Sequence, residues 1–322
     1  MLATLAGPSR AEPRQPINFD LPIACKFGAT CFIQQYFDHD PGPGAKDYRC
    51  GVMSNDGHDG VDLRLPTMAD QQRGVAVLAA ATGIVKAVRD GMADVNMRTA
   101  GSAGIDGREC GNGVVIAHDG GWETQYCHMA QRSIRVAVGQ KVTKGTVLGL
   151  VGLSGATEFP HLHFSVRISG IKVDPFAWDA PPGRCGTGHS LWSQSAAQAL
   201  AYHSPDVINA GFASGPVTIT DVESGRTAAA APARGSSALV VFVRAIGLEK
   251  GDILRLALTA PDGSILAQNT APPLDHDKAQ WLTYVGKKRI AVDWASGHYL
   301  AKYEVRRGSA IALTKQFGFD LQ

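Results

Sequence analysis

The chain has 322 residues, of which 44% are hydrophobic and 19% charged, and a formal net charge of +2. That length suggests two domains, and the composition is that of a soluble globular protein. So small a charge excludes the strong basic field of a nucleic-acid binder, and no apolar run approaches the roughly 18 residues that span a bilayer.

Residues 1–24 read as a tail. Met1 to Ala11 is mildly apolar but lacks a charged start and a long apolar centre, so a secretory remnant and a disordered leader both stay open. Phe32-Ile33 is a short apolar stretch, and Asp38-His39-Asp40-Pro41-Gly42-Pro43-Gly44 is a loop by its turn residues. His39 fits a solvated acidic loop better than a metal site. From His58 the pattern is β. Val61, Leu63 and Leu65 alternate with Asp62 and Arg64, as in a half-buried strand. Gly57, Gly60 and Pro66 argue against a helix there. Val75–Ala81 and Thr82–Val88 read as two strands, and 89–113 as a long glycine-rich loop beside a site. A hairpin pairs Val114–Ala117 with Glu123–Tyr126, placing Thr124, Tyr126 and His128 on one face and His118 near the turn, in solvent. Short strands follow at 138–152, then a strand from His161 through Ile168.

After Pro181-Pro182-Gly183 the character changes. Ser190–Tyr202 suggests a short helix. Strands are expected at Val217–Val222, Ala238–Ala245, Ile253–Thr259, Ile265–Asn269, Leu282–Val285, Ile290–Val292, Tyr299–Val305 and Ile311–Phe319, with Ala228–Ala233 a low-complexity loop. This rhythm predicts a β-sandwich. The expected division is a tail over 1–24, a first domain over 25–183, and a connector with a sandwich over 184–322.

There are six cysteines and no C-x-x-C pair. Cys25 and Cys31 bracket a short turn, Cys110 and Cys127 flank the hairpin, and Cys50 and Cys185 remain near the two ends of the first domain. Two or three disulfides and an oxidising compartment are expected.

The chemistry gathers at Pro160-His161-Leu162-His163-Phe164. In a strand, residues i and i+2 share a face, so His161 and His163 stand side by side. Two histidines at a wet strand edge would be unremarkable alone. Upstream, however, His58-Asp59-Gly60-Val61-Asp62 adds an imidazole and a carboxylate where another strand begins. Three nitrogen or oxygen ligands and one open position define a catalytic zinc site. His128 is a further candidate imidazole.

Residues from about 50 to 176 resemble the lysostaphin/LytM-type zinc metallopeptidases, which cleave peptide bonds in bacterial cell walls. The resemblance rests on His58-Asp59-Gly60-Val61-Asp62, Gly111-Asn112-Gly113-Val114-Val115-Ile116, Tyr126-Cys127-His128-Met129, Val138-Gly139-Gln140-Lys141-Val142, Ser154-Gly155 and His161-Leu162-His163-Phe164, in this order. It implies an all-β fold, with an antiparallel β-sheet peptidase core built on a duplicated hybrid motif and ahead of the sandwich. It implies one zinc per chain, ligated by His58, Asp62 and His163, and catalytic histidines at His128 and His161. Peptidoglycan peptides would be the substrate, with no nucleic-acid partner and no membrane span, in the periplasm or secreted. A stem-peptide cross-link of the diaminopimelate type is expected rather than pentaglycine. Two rivals keep the fold: a non-catalytic wall-binding regulator, and a latent form in which residues 1–50 cover the groove and the Asp38–Asp47 loop offers zinc a carboxylate.

Overall fold

A computed structural model describes residues 15–101, 105–229, 231–290 and 292–322. The first half carries strands β1 (Phe32–Gln35), β2 (Val61–Arg64), β3 (Ala76–Leu78), β4 (Gly83–Arg89), β5 (Asn112–Ala117), β6 (Trp122–Met129), β7 (Lys141–Val142), β8 (Val147–Leu150), β9 (His161–Ile168) and β10 (Ile171–Val173). All but β3 and β8 join one antiparallel sheet in the order β1-β2-β9-β6-β5-β4-β7, with β10 on the end of β9; β3 and β8 pair separately. Alternation builds this sheet. Val61 and Leu63 of β2, Tyr126 of β6, and Leu162, Phe164 and Val166 of β9 all lie in one apolar core. The opposite face of β9 carries His161, His163, Ser165 and Arg167 into an open groove.

The second half adds β11 (Asp206–Ala213), β12 (Ala238–Leu248), β13 (Ile253–Thr259), β14 (Ile265–Thr270), β15 (Lys278–Lys288), β16 (Gly297–Arg307) and β17 (Ala310–Leu321). They form two antiparallel sheets, β11-β12-β15 and β14-β13-β16-β17. Leu239, Val241 and Val243 of β12 share a core with Leu254, Leu256 and Leu258 of β13. Two sheets closing over one apolar layer agree with the strand rhythm. Helices are short: α1 (Met68–Arg73), α2 (Met97–Ala100), α3 (Gln194–Ala199) and α4 (Ile219–Ser224). Among the described residues, no helix is long and apolar enough to cross a membrane.

Several local expectations differ. Residues 15–24 of the expected tail pack inward, with Phe19 and Ile23 fully buried and bridged to Trp192 and Val77; residues 1–14 lie outside the described residues. The expected strand Val217–Val222 gives way to α4, because Thr218 caps Asp221 N–H while the Asp221 carboxylate accepts from Thr218 N–H. This reciprocal cap outweighs the β-branched composition. Ile290 and Val292 are exposed outside any strand, and Ala291 lies outside the described residues. So does Ala230 of the expected loop. Strand β11 has no counterpart in the expected set. Within the expected loop 89–113, Met97–Ala100 is helical and β5 already begins at Asn112.

All six cysteines are paired: Cys25–Cys31, Cys50–Cys185 and Cys110–Cys127. Of two histidines expected in solvent, His118 is buried and His39 is half-buried. His118 bonds the Thr82 carbonyl and the Thr124 hydroxyl. His39 bonds Asp174 and the Arg184 carbonyl.

Candidate active site

Register brings the residues together. Asp62 of β2 stands opposite His163 of β9, and His163 stands opposite Cys127 of β6, so one row crosses three strands. His58 lies in the turn before β2. His58, Asp62 and His163 each offer a ligand atom, all within 4.8 Å of one another. The alternation that buries Leu162 and Phe164 therefore delivers the paired imidazoles to the groove.

The tautomers follow from the partners. His58 Nδ1 lies 2.7 Å from the Tyr36 carbonyl, which can only accept, so Nδ1 carries the proton. His58 Nε2 is then a lone pair, buried without a hydrogen-bond partner, 3.1 Å from Asp62 Oδ1. His163 Nε2 meets Asp59 Oδ1 at 3.2 Å, and its Nδ1 meets Asp62 Oδ1 at 2.8 Å. With the proton on Nε2, two lone pairs and a carboxylate oxygen converge with no hydrogen between them. Such an acceptor set suits a cation, and two imidazoles with a carboxylate suit zinc. Burial alone would raise the Asp62 pKa, but the surrounding imidazoles of His58, His161 and His163 hold it well below the usual carboxylate range.

The other two imidazoles are anchored the same way. His161 Nδ1 donates to the Phe159 carbonyl at 2.9 Å, with the Thr157 hydroxyl at 3.1 Å. His128 Nδ1 donates to the Ser154 carbonyl at 2.8 Å. Burial, helped by the neighbouring imidazoles of His161 and His163, pushes the His128 pKa well down, so this ring is neutral near pH 7. The His128 and His161 ring centres are 4.6 Å apart. Each keeps Nε2 as a proton acceptor.

His128 reaches the groove by a route that alternation does not foresee. Tyr126 points into the core, where its hydroxyl accepts from Ala80 N–H, whereas His128 lines the groove beside Cys127. The backbone at His128 is left-handed, with φ +59°, and the pairing slips between Asn112 and Val114. Strain of this kind persists only where its surroundings enforce it. Here the Cys110–Cys127 disulfide and the bond from His128 N–H to the Cys110 carbonyl do so. A close approach also explains Gly60: a Cβ there would lie 2.6 Å from His163 Nε2.

Three supporting groups were not singled out by sequence. Asp59 holds the distal nitrogen of His163, and its place beside His58 was the available signal. Ser154 anchors His128 through its carbonyl, and its hydroxyl bonds the Met129 carbonyl. The Tyr36 carbonyl, which orients His58, leaves no trace in side-chain identity. The groove encloses about 600 Å³. Among the described residues of 15–50, Gln35 alone lines it. The Asp38 and Asp47 carboxylates are engaged by backbone N–H groups of their own segments.

An antiparallel sheet thus presents, in an open groove, a His/Asp/His cluster that could hold a metal ion. Residues 56–175 match peptidase family M23, so the chain carries a domain of that family. Over 110 residues it is 36% identical to the DD-carboxypeptidase/endopeptidase Mpg of Neisseria meningitidis serogroup B, covering 34% of this chain and 24% of that protein. Over 71 residues it is 38% identical to the peptidoglycan DD-endopeptidase ShyA of Vibrio cholerae, covering 22% of this chain and 16% of that protein. The chain thus spans at most about a quarter of the length of these relatives. The catalytic domain of lysostaphin from Staphylococcus simulans aligns over 44% of this chain and 86% of its own, at 21% identity and a TM-score of 0.29.

Proposed function

We propose that this chain is a zinc-dependent endopeptidase that hydrolyses peptide bonds in peptidoglycan stem peptides or cross-links. The convergence of the His58 and His163 lone pairs on Asp62, beside two anchored imidazoles, carries this reading. His58, Asp62 and His163 would hold one zinc ion. Zinc bound there would supply Lewis acidity toward the scissile carbonyl and the attacking water. His161 and His128 present Nε2 acceptors, so either takes a proton first and becomes a donor to the leaving amine only afterwards. Their Nδ1 bonds fix both rings in that orientation.

The likeness to the peptidoglycan DD-endopeptidase ShyA supports the substrate class, and three disulfides suit an exported protein in an oxidising compartment, periplasmic or secreted. The same setting favours diaminopimelate-type cross-links over pentaglycine. Metal analysis and turnover on purified muropeptide dimers, run beside pentaglycine, test the reading. We expect one zinc per chain and cleaved dimers. A zinc-loaded protein inert on both substrates would leave the wall-binding regulator as the better account.

A further inference from the structure

The groove face of β9 continues past the metal cluster. His163 is followed at two-residue steps by Ser165 and Arg167, and β10 sets Lys172 directly opposite Arg167. Both cations line the groove. The acids Glu109 and Glu158 line it from the loops before β5 and β9. The groove is therefore cationic toward the end of β9 and acidic toward its start.

These charges are not equally engaged. Lys172 pairs with Asp59, and Glu158 with Arg98. Arg167 has no carboxylate partner among the described residues. Its cross-strand neighbour Glu123 pairs with Lys86 instead, and Arg167 Nη2 donates to the neutral Gln125 Oε1. Gln125 stands opposite Ser165, so the guanidinium leans back toward His163 by the width of two residues. At about 3.3 Å per residue, roughly 7 Å of strand separates its level from the cluster. A half-buried guanidinium with spare donors, aimed by an amide, matches the planar fork of a carboxylate.

Building on the peptidase reading, we propose that Arg167, positioned by Gln125, binds a free carboxylate of the substrate peptide about two residues from the scissile bond. The site then selects anionic peptides through Arg167, since Lys172 is already paired with Asp59. A bracing role is the competing account, since Gln125 Nε2 also donates to Cys110 Sγ at 3.2 Å.

The test is a binding measurement on the zinc-loaded full chain. The probe is a diaminopimelate-containing stem tetrapeptide, compared with derivatives amidated at the diaminopimelate carboxyl or at the C-terminal carboxyl. Wild type should bind the free acid roughly ten- to a hundredfold more tightly than one of the two amides, and that amide identifies the carboxylate. Arg167→Gln should bind the acid as weakly as that amide, and Arg167→Lys should keep part of the preference. Equal wild-type affinity for acid and amides, or no binding of the acid, overturns the proposal without any variant. So does an Arg167→Gln loss shared equally by acid and amides, which is the bracing outcome. Dimer turnover is scored separately: an acid preference without turnover refutes the peptidase reading alone.

Discussion

Arg64 on β2 stands directly across the ladder from His161 on β9. Its guanidinium carbon lies 4.3 Å from the centre of the Phe159 ring, whose centre is 4.5 Å from that of His161. The same guanidinium is fully buried and pairs with Glu223 of α4, which also receives the buried Arg244 of β12. Burial lowers the Arg64 pKa to about 10, with Arg244 adding to the effect and Glu223 opposing it. One carboxylate from the second half thus neutralises part of the charge beneath a proposed catalytic histidine.

Glu223→Gln should therefore destabilise the chain by about 3 kcal/mol, since it leaves two buried guanidiniums without their shared countercharge. Urea unfolding reads this as a lower midpoint at constant slope. An unchanged midpoint would show that both arginines are compensated by their neutral partners Gln34, Asn209 and the Pro66 carbonyl.

Asp62→Ala and His163→Ala should each abolish zinc retention, because each removes one of only three protein ligands. Metal analysis after dialysis decides this. A full zinc complement in either variant places the metal elsewhere.

His128→Ala and His161→Ala should keep zinc and lose turnover by at least roughly 100-fold, the usual scale for a general acid or base. Wild-type rates in either zinc-loaded variant would move the proton transfer to another group.

Gly60→Ala should weaken zinc binding without replacing a ligand. The added Cβ falls 2.6 Å from His163 Nε2 and 2.7 Å from the Phe164 carbonyl, so the ring that sets the His163 ligand direction must shift. Disturbing a group that orients a ligand costs about 10- to 100-fold in affinity. Competition with a chelator measures it, and an unaltered zinc affinity would show that the ring moves freely.

The two halves of the His/Asp/His cluster were legible in the sequence because each is local, whereas their joining across β2 and β9 was implied by the resemblance. A two-residue step fixes the His161/His163 pair, and His58 and Asp62 lie four positions apart. His128 was found as a residue but not as a geometry, since strand alternation predicts the face that its left-handed backbone abandons. Strand β11 escaped because Gly211 and Asn209 dilute its β character, although both pair with β12, Asn209 just after a shift in register. The Arg64–Glu223–Arg244 cluster was not readable at all, because three charged residues far apart in the chain carry no local period.

The core of the first sheet also takes in residues from beyond the proline-rich stretch at 181–183. Leu191, Trp192, Leu200, Ile208 and Ile246 all belong to it. Tyr202 stacks on Tyr36, 5.5 Å between ring centres, and its hydroxyl donates to Asp47. A chain cut after residue 183 would keep every proposed zinc ligand yet expose the apolar surface those side chains cover. The smallest fragment that remains monodisperse should therefore be much longer than the family match itself, and heating the intact chain should give a single cooperative transition rather than two.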